Sequence, residues 1–203
     1  MELEIKELKK RDEKKAIEFA ITGMHFRWYF DSDFMLQTYA HYFWYKESGQ
    51  ATQIIAAYSG ETLAGVLLAR IYGRKPARPS LYKRLYVTAW EFLTSYSLNK
   101  SAGIYISTSE KMLKHYQQYN TPDGEMLFLA VNPELRVKGI GTKLLEELAK
   151  RERGKKIFLQ TESACAYQFY DHRGFDRAEE EHIVLDFGKR KVPLTCFLYS
   201  KIL

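Results

Sequence analysis

The stretch that decides the fold runs from Met126 to Arg151 and reads MLFLAVNPELRVKGIGTKLLEELAKR. Its first six residues are all apolar, which is typical of a buried central strand. After Gly139, the residues Leu144, Leu145 and Leu148 recur at helical spacing. The stretch therefore predicts a strand, a loop that contains two glycines, and an amphipathic helix.

Hydrophobic patterning on either side predicts further strands and helices. Strands are predicted at 3–5, 53–58, 63–70, 157–159, 182–187 and 193–201, with hairpin turns at 59–62 and 188–191. Helices are predicted after a cap at Asp12, within 24–45, and near 80–97, 109–119 and 164–172. Strands and helices mixed in this order predict an α/β or α+β sheet covered by helices.

Length and composition predict one domain. The 203 residues, 46% of them hydrophobic, suffice for one substantial core or for two small ones, and we expect a single domain over residues 1–203 with a helical excursion at about 72–122. No run approaches the roughly 20 apolar residues that cross a bilayer, and the start lacks a signal-peptide pattern, so we expect a cytoplasmic protein. Cys165 and Cys196 are too few for a disulfide framework and are expected to be reduced. The five histidines lack metal-ligand spacing, so no metal site is predicted.

The charge leaves several partners open. The formal net charge is +6 and the isoelectric point is about 9.1, which suits nucleic acid, a polyanionic cofactor or simply a basic surface. The main basic cluster consists of Arg70, Arg74, Lys75, Arg78, Lys83 and Arg84. Charge alone does not decide among these alternatives.

The loop from Arg136 to Thr142 has the features of an anion site. Its glycines let the backbone approach a ligand closely, and the first N–H groups of the following helix have no acceptor within that helix. Arg136 and Lys138 add positive charge, and Lys143 or Thr142 could complete the contacts. A pyrophosphate would fit such a loop.

Two common phosphate loops are excluded. The Walker pattern requires a Gly-Lys-Ser/Thr triplet after four spacer residues, which is missing here. The dinucleotide fingerprint requires a third glycine where this chain has Leu144.

Two motifs together resemble the GNAT acetyltransferases. Arg136-x-x-Gly139-x-Gly141 matches the family pattern Gln/Arg-x-x-Gly-x-Gly/Ala, and the sequence FYDHRGF at 169–175 matches Phe-Tyr-x-x-x-Gly-Phe. Tyr170 follows Arg136 by 170 − 136 = 34 residues, a spacing usual in the family. The resemblance covers about Glu125 to Phe187, and the β-α-α-β-β order of the first half also suits it.

The resemblance implies a fold and a cofactor. The expected fold is a mixed, mostly antiparallel, twisted sheet of about seven strands, covered by helices on both faces and splayed at its central strands. The expected co-substrate is acetyl-CoA, whose pantetheine pairs with the exposed backbone of the central strand. Many members carry asparagine where this chain has Ser163. The residues expected to bind coenzyme A are Leu129, Ala130, Val131, Arg136, Val137, Lys138, Gly139, Ile140, Gly141, Thr142, Ser163 and Tyr170.

The resemblance also implies catalytic roles. A lysine-like amine has a pKa of about 10.4, so at neutral pH it must lose a proton before it attacks a thioester. Glu125 matches the position of the catalytic glutamate of histone-type members and is the predicted base, directly or through water. A backbone N–H near Ala130 or Val131 would stabilise the oxyanion. The Tyr170 hydroxyl would protonate the leaving thiolate, which comes from a thiol of pKa about 8.5.

Each assignment has a structural alternative. Glu125 could be a polar residue at a strand start, and Tyr170 a core aromatic residue. Cys165 lacks a visible base partner and is expected to be a buried small residue. The aromatic stretches 26–45 and 82–96 suit helix packing or a ligand cage. The acidic residues that could meet a cationic amine are Asp31, Asp33, Glu47 and Glu91.

The functional prediction is acetyl transfer to a primary amine of a small molecule, a peptide or a protein lysine. The alternatives are a non-catalytic acyl-CoA-binding module and a nucleic-acid-binding protein, the latter supported by charge alone. We expect no nucleic-acid partner and no membrane partner. A homodimer is left open.

Overall fold

A computed structural model describes residues 3–94, 100–187 and 191–203. The strands are β1 (Leu3–Lys6), β2 (Gln53–Ser59), β3 (Thr62–Ile71), β4 (Gly124–Val131), β5 (Lys156–Glu162), β6 (Asp176–Asp186) and β7 (Lys191–Ile202). The α-helices are α1 (Glu13–Gly23), α2 (Asp33–Gln50), α3 (Leu81–Thr94), α4 (Lys100–Tyr119), α5 (Ile140–Arg151) and α6 (Gln168–Asp171). Short 3-10 turns lie at Lys10–Asp12 and Phe26–Trp28.

The strands form a seven-stranded sheet in the order β1-β2-β3-β4-β5-β7-β6. β1–β2, β2–β3, β5–β7 and β6–β7 are antiparallel, whereas β4 and β5 are parallel. The predicted class, a mixed and mostly antiparallel sheet flanked by helices, is confirmed. The splay of the central strands stays a prediction.

The chain divides into two compact units. The first comprises the residues up to Trp90, then Met126–Arg153 and Leu203; the second comprises Glu91–Glu125 and Gly154–Ile202. The single domain over residues 1–203 therefore stays a prediction. The excursion at 72–122 contains α3 and α4.

In the first unit, α1, α2 and strands β2 to β4 enclose one apolar core. Helix α1 buries Ala16, Ile17 and Ala20 at helical spacing, and β4 buries Met126, Phe128 and Ala130 as alternate residues. Helix α5 buries Ile140, Leu144, Leu145 and Leu148. Each fully buried leucine side chain contributes roughly 1.5–3 kcal/mol, so this apolar face fixes α5 firmly.

In the second unit, α4 packs on the sheet through a smaller core. Its residues Met112 and Tyr116, four apart, lie against Phe158, Cys196 and Leu198. The Tyr116 hydroxyl also shares a 2.6 Å hydrogen bond with Ser200.

Three local predictions need correction. Asp12 precedes α1, but its carboxylate does not cap the helix and instead accepts a 2.8 Å hydrogen bond from the Tyr58 hydroxyl. Helix α4 starts at Lys100, well before the predicted start at 109, and α6 is confined to Gln168–Asp171. The last residues of the predicted helix 80–97, from 95 onward, and residues 188–190 of the predicted turn 188–191 lie outside the described residues.

Among the helices of the described ranges, none combines the length and the apolar character that a bilayer-spanning helix requires.

Candidate functional site

The loop between β4 and α5 is anchored by Asn132, which is buried. Its backbone N–H donates to the Ala64 carbonyl at 2.7 Å, and its side-chain Nδ2 donates to the Leu63 carbonyl at 3.3 Å. Its Oδ1 accepts from the Glu134 N–H at 3.0 Å, which closes an Asx turn. The loop therefore leaves β4 from a point fixed on β3.

Gly139 sets the entry into α5. Its φ of 82° lies in the left-handed region, which a side chain disfavours. The first backbone hydrogen bond of the helix runs from the Lys143 N–H to the Gly139 carbonyl at 2.9 Å. N–H groups ahead of Lys143 therefore lie outside the helical ladder, at the positive end of the helix dipole.

Gly141 lies in the first turn of α5, where the backbone is helical. Its conformation does not require glycine, and glycine in a helix is less favourable than alanine by about 1 kcal/mol. Close approach of a ligand, or of a neighbouring group of the protein, to the backbone is a common reason for glycine at such a position.

The charges around this loop favour an anion. Arg136 and Lys138 are both exposed, and neither forms an ion pair within residues 3–94, 100–187 and 191–203. The Lys143 ammonium instead donates to the Leu3 carbonyl of β1. Of the two residues predicted to complete the contacts, Lys143 thus contacts β1, and the role of Thr142 stays a prediction.

The end of β4 lies directly beside this loop. Leu129 is half-buried, Ala130 is buried and Val131 is 40% exposed. A Cβ atom added at Gly65 on β3 would lie 2.8 Å from Ile140 Cγ2 and 3.0 Å from the Ala130 carbonyl oxygen. The strand end and the helix start therefore converge on one glycine.

The second unit holds Tyr170, the third residue of α6. Its ring contacts those of Phe169, Phe175 and Tyr199 at centroid distances of 5.3, 5.6 and 5.8 Å. Burial raises the pKa of the Tyr170 hydroxyl above its ordinary value of 10.0, and the nearby Cys165 adds to the shift. Among the described residues, that hydroxyl forms no hydrogen bond. The raised pKa keeps the phenol neutral at physiological pH and makes it a weaker acid than an exposed tyrosine.

Two other predicted site residues of this unit have partners in the sheet. Glu125 pairs with Phe158 in the parallel β4–β5 register. The Ser163 hydroxyl accepts a 3.0 Å hydrogen bond from the Thr195 N–H. No hydrogen bond joins either residue to Tyr170 in the described part of this unit, so their roles stay predictions.

Cys165 is held as a thiol. Its Sγ donates to the Glu162 Oε1 at 3.1 Å, and Glu162 also accepts from the Ala164 N–H at 3.0 Å. Burial, followed by the Glu162 charge, raises the pKa of the Cys165 thiol. A reactive cysteine requires a lowered pKa, so Cys165 is unsuited to be a nucleophile.

In the described part of the chain, no group of three or more histidines, cysteines, aspartates or glutamates is placed to hold a metal.

The basic cluster near β3 is largely satisfied within the first unit. Its guanidinium and ammonium groups contact the following partners: Arg70 with Gln50, Arg74 with Glu152, Arg78 with the Leu8 carbonyl and Glu7, and Lys83 with Glu13. These contacts leave Lys75 and Arg84 as its exposed members without an ion pair among the described residues. Most of the positive side chains on which the nucleic-acid alternative rested therefore already have partners within the protein.

The aromatic residues of α2 and α3 pack on one another. Tyr42 stacks on Trp90 at 5.7 Å, and Tyr45 meets Tyr86 edge-on at 5.2 Å. This arrangement matches helix packing. Of the acidic residues predicted to meet an amine, Asp33 pairs with Arg27 at 3.1 Å and Glu47 accepts from Gln50 at 2.8 Å.

The sequence prediction missed Gly65 and the partners of α6. A lone glycine inside the apolar strand β3 was a usable signal, because such glycines often mark a close backbone approach. The contact between Tyr199 and Asp171, 28 residues apart, has no local signal.

One protein-family model matches part of the chain. Residues 105–177 match the family model described as an acetyltransferase (GNAT) domain. Among curated proteins, the sequence has no match.

Solved structures share the fold at low identity. The PaiA N-acetyltransferase of Thermoplasma acidophilum, in complex with coenzyme A, is 18% identical with a TM-score of 0.55. The polyamine N-acetyltransferase of Drosophila melanogaster is 13% identical with a TM-score of 0.56, and Naa50 of Arabidopsis thaliana, in complex with a bisubstrate analogue, is 12% identical with a TM-score of 0.52. Each alignment covers 100% of both chains. At such identities the likeness shows the GNAT fold.

Proposed function

We propose that this chain transfers the acetyl group of acetyl-CoA directly to a primary amine, because residues 105–177 match a GNAT acetyltransferase domain model. The carrying observation is the start of α5: a left-handed Gly139, a helical Gly141, and two exposed cations that lack ion-pair partners among the described residues. A diphosphate suits this arrangement because it accepts hydrogen bonds from helix-start N–H groups and carries negative charge.

Coenzyme A fits these residues by the chemistry of their donors. The amides from Val137 to Thr142 would hold the pyrophosphate, with Arg136 and Lys138 adding charge. The backbone from Leu129 to Val131 would pair with pantetheine as an added strand does. We further propose Ser163 and Tyr170 as contacts to the cofactor. The thioester supplies an activated acetyl group.

The reaction requires three proton movements. The acceptor ammonium first loses a proton, and the resulting amine forms a bond to the acetyl carbon as the C–S bond breaks and the thiolate leaves. The nitrogen loses a second proton as the amide forms, and the thiolate gains one. We assign the first proton to Glu125, directly or through water. We assign protonation of the thiolate to the Tyr170 hydroxyl, because a tyrosine carries its proton at neutral pH.

The acceptor class stays open among small amines, peptides and protein lysines. The structural relatives include an enzyme described as forming N-acetylagmatine and one bound to a peptide bisubstrate analogue. An acceptor screen should therefore contain agmatine, polyamines, peptides with free amino termini and lysine peptides.

The test combines this screen with calorimetry. We expect acetyl-CoA to bind, and at least one amine to release free thiol in step with formation of an acetylated product. Tyr170→Phe should lower kcat about 10²-fold or more while leaving acetyl-CoA affinity nearly unchanged. Binding without turnover on any acceptor would instead support the non-catalytic acyl-CoA module, and absence of binding would refute both.

A further inference from the structure

Tyr170 lies on a helix too short to fix the orientation of its own side chains. Helix α6 contains only Gln168–Asp171, a single turn. One turn of helix is unstable alone because nucleation is unfavourable, so the direction of its side chains depends on contacts outside the helix.

The strongest of these contacts involves the residue next to Tyr170. The Tyr199 hydroxyl donates to Asp171 Oδ1 at 2.8 Å, and the Arg177 guanidinium donates to Asp171 Oδ2 at 3.2 Å. Arg177 Nε also donates to the Tyr199 hydroxyl at 3.2 Å. Asp171, Arg177 and Tyr199 thus close a triangle that ties α6 to both strands of the β6–β7 hairpin.

The triangle is itself well supported. Tyr199 is fully buried on β7, and the Arg177 guanidinium lies 4.5 Å from the Phe197 ring centroid. The Tyr199 ring lies 5.8 Å from that of Tyr170, so it contacts the proposed acid directly as well as through Asp171.

The members of the triangle differ in importance. The side chains of Asp171 and Arg177 are 36% and 37% exposed, so their ion pair contributes little in water. The bond from the buried Tyr199 hydroxyl to a carboxylate is charge-assisted and its donor is shielded from solvent. Of the three residues, Tyr199 is therefore expected to contribute most to holding α6 in place.

We propose that Tyr199 and Asp171 are positioning residues that fix the Tyr170 hydroxyl for proton donation. This inference rests on the proposed function of Tyr170. The triangle holds the neighbour of Tyr170 and leaves the Tyr170 hydroxyl itself without a hydrogen bond among the described residues. The phenol is thus held by its ring and backbone and not through its oxygen.

A double-mutant cycle tests this role in the full-length chain. Tyr199→Phe removes one hydroxyl and keeps the ring. We expect it to lower kcat about tenfold, since small displacements of a catalytic group are costly, while the KM for acetyl-CoA stays within about twofold. In a Tyr170→Phe background, Tyr199→Phe should cause no further loss, because the group it positions is gone.

Hydrogen exchange supplies a readout that does not depend on turnover. The amides of Tyr170, His172 and Phe175 donate hydrogen bonds within this segment, and their exchange should accelerate in Tyr199→Phe. Tyr167→Phe is the matched control, because the Tyr167 hydroxyl forms no hydrogen bond in the described part of the chain. Its exchange and kcat should match the wild type.

The outcomes separate the two claims. An equal loss of kcat in both backgrounds would overturn the positioning role and leave the proposed function intact. Unchanged exchange in Tyr199→Phe would overturn the anchoring of α6 whether or not turnover is observed. A wild-type protein without any transfer activity would remove the proposed function, and the catalytic part of this inference with it.

Discussion

Gly65 and Ile140 are packed so closely that a Cβ atom on Gly65 would lie 2.8 Å from Ile140 Cγ2. Ile140 is the first residue of α5 and is buried. The same Cβ would also lie 3.0 Å from the Ala130 carbonyl oxygen, which belongs to backbone and cannot rotate away. The absence of a side chain at Gly65 of β3 therefore permits the start of α5 to pack directly against the sheet.

Gly65→Ala should destabilise the fold by about 1–3 kcal/mol, the usual effect of overpacking a filled core. Chemical denaturation measures this as a lower midpoint at an unchanged m-value. Gly49→Ala is the control, because a Cβ at Gly49 in α2 has nothing within 4 Å. Its stability should not fall. An unchanged midpoint for Gly65→Ala would contradict the packing described here.

Replacing Arg136 and Lys138 together by glutamine should weaken coenzyme A binding about tenfold at low salt. The difference from wild type should shrink as salt rises, since exposed charges are screened. Lys75→Gln with Arg84→Gln removes the same charge from another exposed surface and serves as the control. If both pairs weaken binding equally, the effect comes from net charge and the loop has no special role.

The buried tyrosine Tyr58 predicts a loss of stability in alkali. Burial raises its pKa to about 12 from an ordinary value of 10.0. A raised folded-state pKa gives stability that is complete below the unfolded pKa and is lost as pH rises through the folded pKa. The free energy of unfolding should therefore fall between about pH 10 and pH 12, and this fall should be shallower in Tyr58→Phe. An identical pH dependence for the two proteins would contradict this assignment.

The sequence predicted much of the sheet because burial there follows simple periodicity. The continuous apolar run of β4 and the leucine spacing of α5 each reflect one buried face, so both elements were predicted near their observed bounds. Helix α4 was predicted too short. Its first residues, from Lys100 onward, are mainly small and polar, so the pattern that marks its later turns is weak there.

The local parts of the candidate site were more predictable than its supports. Gly139 and Gly141 belong to one contiguous motif. Asp12 was predicted to cap α1, but its carboxylate accepts a hydrogen bond from the Tyr58 hydroxyl, 46 residues away. Lys143 was a candidate anion contact, but it reaches the Leu3 carbonyl, 140 residues away. Such tertiary partners leave no trace in local spacing.

The central claim is that coenzyme A lies against the backbone at the start of α5, and Gly141→Leu tests it most directly. Leucine is a good helix former, so the helix itself should not be disfavoured. Calorimetry with coenzyme A should show at least about tenfold weaker binding, since the bulky side chain would take the space of a phosphate. Gly49→Leu is the matched control, because a Cβ at Gly49 has nothing within 4 Å, and its affinity should be unchanged. A folded Gly141→Leu protein that binds coenzyme A as tightly as the wild type would contradict the claim.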